Sequence, residues 1–275
     1  MTQAATESLS AVQERALGAL RRDGIAVLRF GELFDEVLWA EAQRDIAPFV
    51  AASEEAAKAM GDRPSGKEEV IFRRFFDKAS TEEPELSIDS PWLRIAASDQ
   101  LLGIVNAYRE TTTRLFYVDN WYTPAYPGAQ ERVASQRWHR DPEHEHVVKL
   151  FVYLSDVDEG AGPFEYVRSS TGGGRYGQLW RWGGSSDDWY PPTEELEAAV
   201  AEEDRLVLSG SAGTVVLCDT GGFHRGGFAR ARPRVLAVAT YLQPGLKGKY
   251  GRSRFAVDFG GREHELSRPV RAALV

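Results

Sequence analysis

Two histidines and one aspartate stand out in this 275-residue chain as a possible metal site. In Gln136-Arg137-Trp138-His139-Arg140-Asp141-Pro142, His139 and Asp141 are two apart. On an extended chain, alternate side chains share a face. An imidazole and a carboxylate would then aim at one point. His224 lies far downstream, in Gly221-Gly222-Phe223-His224-Arg225-Gly226-Gly227. Two imidazoles and a carboxylate form the facial set that holds ferrous iron and leaves positions open for oxygen and substrate. A His-x-Asp pair alone is common, and its ordinary explanation is a histidine bonded to a strand neighbour. Arg234 adds weight, because it opens the apolar run Arg234–Thr240. A guanidinium is costly to bury unless it is paired, and a dicarboxylate ligand could pair with it bidentately.

Other motifs carry less. His144 and His146 are also two apart and could bind zinc. Pro142 breaks the strand before them, and Glu143 and Glu145 point to a solvated loop, so both read as surface histidines. Gly172 to Gly177 matches a dinucleotide fingerprint in form, but no helix can follow it. Cys218 is the single cysteine, so no internal disulfide can form and a reducing cytoplasm is expected. It lies in an apolar strand and reads as core. A net charge of -8 argues against a nucleic-acid partner. No apolar run reaches the roughly 18–20 residues of a membrane helix. Met1 to Ser10 lacks the features of a signal peptide. A small-molecule substrate is therefore expected; the oligomeric state is not legible.

The elements that must position these residues fall into two kinds. Helical spacing covers residues 8–22, ended by Asp23-Gly24 and followed by a short strand, Ile25 to Phe30. A second helix is expected from Phe34 to about Phe49, broken near Pro48. Residues 51–69 read as a solvated helix or mobile loop, and Asp99 to Tyr108 as another helix. From Thr113 the pattern becomes β-branched and aromatic. Strands are expected at Arg114–Tyr122, Val147–Leu154, Phe164–Arg168, Leu206–Leu208, Thr214–Cys218 and Val235–Tyr241. In the clearest strand, Val148, Leu150, Val152 and Leu154 form an aliphatic face. Val147, Lys149, Phe151 and Tyr153 form a mixed one, the composition of a lined pocket. Thr171 to Pro192 holds Trp180, Trp182 and Trp189, either as a lid over a barrel mouth or as a loop folded on its own aromatics. The expected architecture is mainly β with flanking α-helices: a helical part over about 1–112, a β core over about 113–243, and an extension over about 244–275, all in one domain.

Several segments resemble the phytanoyl-CoA dioxygenase-type Fe(II)/2-oxoglutarate oxygenases. They are Arg22 to Leu28, Trp138-His139-Arg140-Asp141, Gly162-Pro163-Phe164, Phe223 to Gly227 and Arg232-Pro233-Arg234, in order within residues 15–242. The resemblance implies a double-stranded β-helix, the jelly-roll or cupin-like core. It implies iron held by His139, Asp141 and His224, with Arg234 gripping the distal carboxylate of 2-oxoglutarate. Tyr153 is implied as a second contact to that co-substrate, with Asn120 and Lys149 as further candidates. It further implies that O2 is consumed, that succinate and CO2 are released, and that a small organic molecule is oxidised. Halogenating relatives lack the ligand carboxylate, so Asp141 points to hydroxylation or a related oxidation. Lys247, Lys249, Arg252 and Arg254 lie outside the shared segments and read as a solvated basic tail. Arg225, Arg230 and Arg232 are candidates to bind an anionic substrate group. The rival readings are a metal-dependent hydrolase or isomerase, and a non-catalytic ligand-binding barrel on a cupin-like fold.

Overall fold

The first helix, α1 (Ala11–Asp23), is set by a capping box in which Ser10 and Gln13 bond each other's backbone N–H groups. It ends at Gly24, whose φ of 80° is the left-handed conformation that costs glycine least. The chain then continues through β1 (Ile25–Arg29), α2 (Glu36–Met60), β2 (Phe72–Phe75), β3 (Glu85–Ser87), α3 (Pro91–Ala96) and α4 (Asp99–Arg109). The strands that follow are β4 (Arg114–Thr123), β5 (Val148–Tyr153), β6 (Phe164–Val167), β7 (Arg205–Leu208), β8 (Thr214–Asp219), β9 (His224–Arg225), β10 (Arg234–Leu242) and β11 (Ala256–Asp258). Helix α5 (Thr193–Ala199) precedes β7, and α6 (Arg268–Leu274) closes the chain. These elements come from a computed structural model that describes residues 8–60, 72–75, 85–128, 131–143, 147–180 and 190–275.

Two antiparallel sheets face each other. The larger has the order β1-β8-β5-β10-β4-β2 and the smaller β7-β6-β9. Parity sorts the larger sheet's side chains. Val148, Leu150, Val152, Val215, Leu217, Val235, Ala237, Ala239 and Tyr241 lie on the face covered by helices. Phe151, Tyr153, Val216, Cys218, Leu236 and Val238 face inward and meet Phe164 and Tyr166 of the smaller sheet. This is the jelly-roll sandwich expected from the sequence. Cys218 is buried in it, as expected of a core residue. In α4, Leu101, Leu102, Ile104 and Val105 are fully buried against the helical face, each contributing roughly 1.5–3 kcal/mol.

Two sequence expectations change. Helix α2 does not break at Pro48 but runs on to Met60. Its buried stripe of Leu38, Ala42, Ile46 and Ser53 keeps helical spacing across the proline, whose own ring is exposed. That packing offsets the roughly 3 kcal/mol an interior proline costs. The extension is also more than a tail, although its Lys247, Lys249, Arg252 and Arg254 are exposed as expected. β11 pairs in parallel with β3, and α6 sinks Val270, Ala273 and Leu274 into the helical core. Leu246 and Tyr250 pack against the inner cluster. Among the described residues, no helix is long and apolar enough to cross a membrane.

Candidate active site

His139 and His224 are directly opposed across an antiparallel bridge. Each backbone N–H donates to the other's carbonyl at 3.0 Å, which sets the rings side by side with centroids 4.2 Å apart. Asp141, two residues on, is held by its N–H on the Thr220 carbonyl at 2.9 Å. Alternation puts Asp141 with His139 and sends Arg140 the other way. There the Arg140 guanidinium stacks on Phe223 and donates to the carbonyls of Ser170, Gly221 and Leu179.

The three side chains converge. One ligand atom from each of His139, Asp141 and His224 lies within 4.8 Å of the others, and all three residues are buried. The imidazole Nε2 atoms of His139 and His224 are 3.9 and 3.6 Å from the Asp141 carboxylate. Such gaps can be spanned by two metal–ligand bonds of about 2.0–2.2 Å. The tautomers suit a metal as well. Nδ1 of His139 is 2.8 Å from the Arg137 carbonyl, and Nδ1 of His224 is 3.0 Å from that of Gly222. A carbonyl only accepts, so Nδ1 carries the proton and Nε2 offers its lone pair to the centre. Burial, aided by His224, lowers the His139 pKa to about 3, so this ring is neutral at ordinary pH. Burial alone would raise the Asp141 carboxyl, but Lys149 and the histidines hold it well below its usual range. The donor set fits ferrous iron.

Lys149 faces inward from β5, beside Phe151 and Tyr153. Its ammonium lies 2.7 Å from Asp141 Oδ2 and 3.6 Å from Glu143. Burial opposes that charge, yet the two carboxylates hold its pKa well above normal. Lys149 pairs with Thr240 in the ladder, six positions along β10 from Arg234. It therefore sits at the Asp141 carboxylate and not at the Arg234 end.

Arg234 is buried, and its guanidinium donates to the Gly162 carbonyl. Its Nε has no hydrogen-bond partner, and burial lowers its pKa with only Tyr153 opposing. Among the described residues, no carboxylate pairs with it. Two glycines make room here. A Cβ on Gly227 would sit 2.1 Å from backbone atoms of Gly162 and Pro163, and one on Gly162 would sit 2.5 Å from the Ala229 nitrogen. Tyr153 lies by Arg234 and donates its hydroxyl to the Leu208 carbonyl at 2.7 Å.

Asn120 is not at this site. It pairs with Ala237, whose side chain belongs to the helix-covered face, so Asn120 points away from Arg234. Its neighbours on β4 point in: Thr123 opposes Arg234 and Trp121 opposes Leu236. Thr123 Oγ1 is buried without a partner, which makes Thr123 a polar wall residue that the sequence reading missed. Alternation alone could have separated 119, 121 and 123 from 120, had one inward residue been known.

Of the candidate substrate arginines, Arg225 is committed to Glu165 at 2.6 Å and Glu197 at 3.1 Å, and Arg232 to Asp158 at the surface. Tyr190 sits 5.9 Å from the His139 ring. Tyr176 belongs to a cluster with Trp138 and Phe223, and Trp180 packs against it. This part of the loop folds on aromatic neighbours. Trp182, Trp189, His144 and His146 lie outside the described residues.

The turn leading to His224 is anchored by Asp219, which accepts from Tyr108 and from the Gly221 N–H, both at 2.9 Å. Burial raises its pKa to about 6. A folded-state value above the unfolded value of about 3.9 means that proton binding favours the fold. That contribution is complete below about pH 4 and is lost as pH rises through about 6. Asp219→Asn should therefore gain stability relative to the parent between pH 4 and 7.5, by up to about 2–3 kcal/mol. Urea unfolding of both proteins across that range checks it; a pH-independent difference would contradict the assignment.

No family model matches the sequence, and no curated protein matches it at a significant level. Solved structures do match. EctD from S. alaskensis in its apoform aligns with a TM-score of 0.56 at 20% identity, covering 94% of this chain and 90% of that one. The epimerase SnoN, in a complex with Fe3+, alpha-ketoglutarate and a nogalamycin compound, gives 0.56 at 18%, covering 85% and 84%. The alpha-ketoglutarate-dependent carbocyclase SnoK gives 0.53 at 15%, covering 97% and 94%. The chain has the jelly-roll fold on which these iron- and 2-oxoglutarate-dependent enzymes are built.

Proposed function

We propose that this protein is an Fe(II)/2-oxoglutarate-dependent oxygenase that oxidises a small organic molecule, with hydroxylation as the outcome. The observation that carries this reading is the buried convergence of His139, Asp141 and His224. The buried Arg234, for which the described residues supply no carboxylate, supports it. The two imidazoles and the carboxylate would hold the metal. Arg234 would take the distal carboxylate of 2-oxoglutarate, with Tyr153 and Thr123 walling that end.

When bound, iron with 2-oxoglutarate and O2 supplies the oxidising power, and succinate and CO2 leave. The chain's own residues orient and exclude water. The Nδ1 bonds to the Arg137 and Gly222 carbonyls lock both imidazoles, and Phe151, Phe164 and Leu236 keep the interior apolar. No acid or base from the chain is needed for hydrogen abstraction from a C–H bond.

The proteins sharing the fold include an epimerase and a carbocyclase, so reaction without oxygen insertion is the second reading. Product mass separates the two: hydroxylation adds an oxygen atom, while cyclisation removes two hydrogens and epimerisation leaves the mass unchanged. The primary test is succinate formation from 2-oxoglutarate, dependent on ferrous iron and O2, across amino-acid, acyl-thioester and polyketide-like substrates. Hydrolysis or isomerisation that proceeds with zinc and without 2-oxoglutarate would replace this reading with the hydrolase or isomerase rival.

A further inference from the structure

The inner row of the β4–β10 ladder carries a buried arginine at each end. Arg234 opposes Thr123 where β10 begins, and Arg114 opposes Leu242 where it finishes. Leu242 belongs to the inner cluster. Residues paired across a ladder share a face, so Arg114 turns inward as Arg234 does. The two are held alike. Arg114 is 7% exposed, and its guanidinium donates to the Tyr250 carbonyl at 2.5 Å. Its other terminal nitrogen, Nη1, is buried without a hydrogen-bond partner. Among the described residues no carboxylate pairs with it, and burial is what lowers its pKa. A guanidinium is costly to bury in this way. The neighbouring segment adds positive charge to a chain whose net charge is -8. Lys247 and Lys249 are exposed there, and residues 243–257 hold no aspartate or glutamate.

We infer that Arg114 is a substrate-binding residue that takes a carboxylate or phosphate group of the primary substrate, which is therefore an anion. The inference rests on the proposed metal site and on Arg234 as the grip for 2-oxoglutarate. Eight steps of β10 separate the two ends of the ladder, roughly 26 Å at about 3.3 Å per residue. A five-carbon co-substrate held at Arg234 cannot also reach Arg114. The Asp141 carboxylate lies at a level between them. Thr240, two positions before Leu242, pairs with Lys149, whose ammonium is 2.7 Å from Asp141. Arg114 is thus displaced from that level by roughly 7 Å along the strands, away from Arg234. Aromatic rings lie in between. Tyr250 meets Phe116 edge-on and donates its hydroxyl to the Pro142 carbonyl, next to Asp141. The Tyr117 ring is 5.8 Å from the Lys149 ammonium. A molecule anchored at Arg114 lays its carbon skeleton along these rings with its far end toward the metal. The guanidinium fork suits either oxyanion bidentately.

The test uses full-length protein in which Arg234→Met has removed the other anion-binding arginine. Inorganic phosphate and acetate are titrated separately at constant ionic strength in chloride, with Tm and calorimetry as readouts. One of them should bind saturably and raise Tm; phosphate assigns a phosphoryl group to the substrate, acetate a carboxylate. Adding Arg114→Met should weaken that binding at least about tenfold. Arg114→Lys keeps the charge but loses the fork, so it should give a smaller loss, and it serves alone if the methionine variant does not fold. With Arg234 intact, Arg114→Met should leave Co(II) and 2-oxoglutarate affinities within roughly threefold of the parent, as expected for distant sites. In the succinate screen, an accepted anion should exceed its neutral ester at least about tenfold in kcat/KM, and Arg114→Met should erase that margin. Binding of neither anion to Arg234→Met, or undiminished binding after Arg114→Met, overturns the inference. A joint fall of Co(II), 2-oxoglutarate and anion binding overturns it too, because Arg114 then supports the fold. A parent that binds neither Co(II) nor 2-oxoglutarate overturns the metal-site reading, whichever way the anion titration falls.

Discussion

Asp141→Ala should weaken Co(II) or Fe(II) binding at least about 100-fold, beyond the usual cost of losing an outer partner of a ligand, and should abolish 2-oxoglutarate turnover. Two imidazoles would remain, still held by their mutual backbone bonds and still offering Nε2. They lack the charge that compensates a divalent ion in a buried site. The substitution also strips Lys149 of its nearest anion, leaving Glu143 at 3.6 Å, so a drop in thermal stability is expected as well. Asp141→Glu separates the two effects. It keeps the charge opposite Lys149 but moves the carboxylate by one methylene, so the fold should hold while turnover falls to a few per cent or less, as misplacement by about 1 Å costs on the order of 100-fold. Calorimetric metal titration with a succinate assay decides the matter. Near-parental metal affinity in folded Asp141→Ala would remove Asp141 from the ligand set.

Arg234→Met should show the complementary pattern, with metal affinity retained and 2-oxoglutarate affinity lost by about 100-fold. A truncated charge pair in a buried site costs about 2–5 kcal/mol, and each 1.4 kcal/mol is about tenfold. The unliganded protein should change little in stability. Losing the bond to the Gly162 carbonyl costs about 1 kcal/mol, but the fold no longer buries a guanidinium that lacks a carboxylate partner among the described residues. The clearest readout is ligand-induced stabilisation. With metal present, 2-oxoglutarate should raise the Tm of the parent and not of the variant. If metal and co-substrate affinities fall together, Arg234 supports the fold of the site and does not grip the carboxylate.

Much of the site was legible because its signals are local. The spacing of His139 and Asp141 needs only alternation, and both side chains turn to one centre. The aliphatic and mixed faces of Val148–Tyr153 separate as their order predicts. Arg234 was conspicuous as a charge at the head of an apolar run. Where local signals misled, a distant element had the deciding energy. The stripe through Leu38, Ala42, Ile46 and Ser53 packs well enough for α2 to continue past Pro48. Val270 and Leu274 likewise anchor an extension whose basic residues, Lys247, Lys249, Arg252 and Arg254, stay exposed.

Asn120 and Lys149 mark the boundary between the two kinds of knowledge. Both are polar residues in apolar strands, and composition treats them alike. The sequence by itself determined the residue types of the proposed ligand set, the strand periodicity and the charge at the head of an apolar run, because these depend on neighbours along the chain. Only the tertiary structure decided which way β4 faces, since that follows from its register against β10, where the ladder shifts between Thr240 and Tyr241. A shift of one residue exchanges the faces of a strand. That register sends Asn120 outward and brings Thr123 beside Arg234, while the pairing of β5 with β10 and β8 leaves Lys149 on the carboxylate of Asp141.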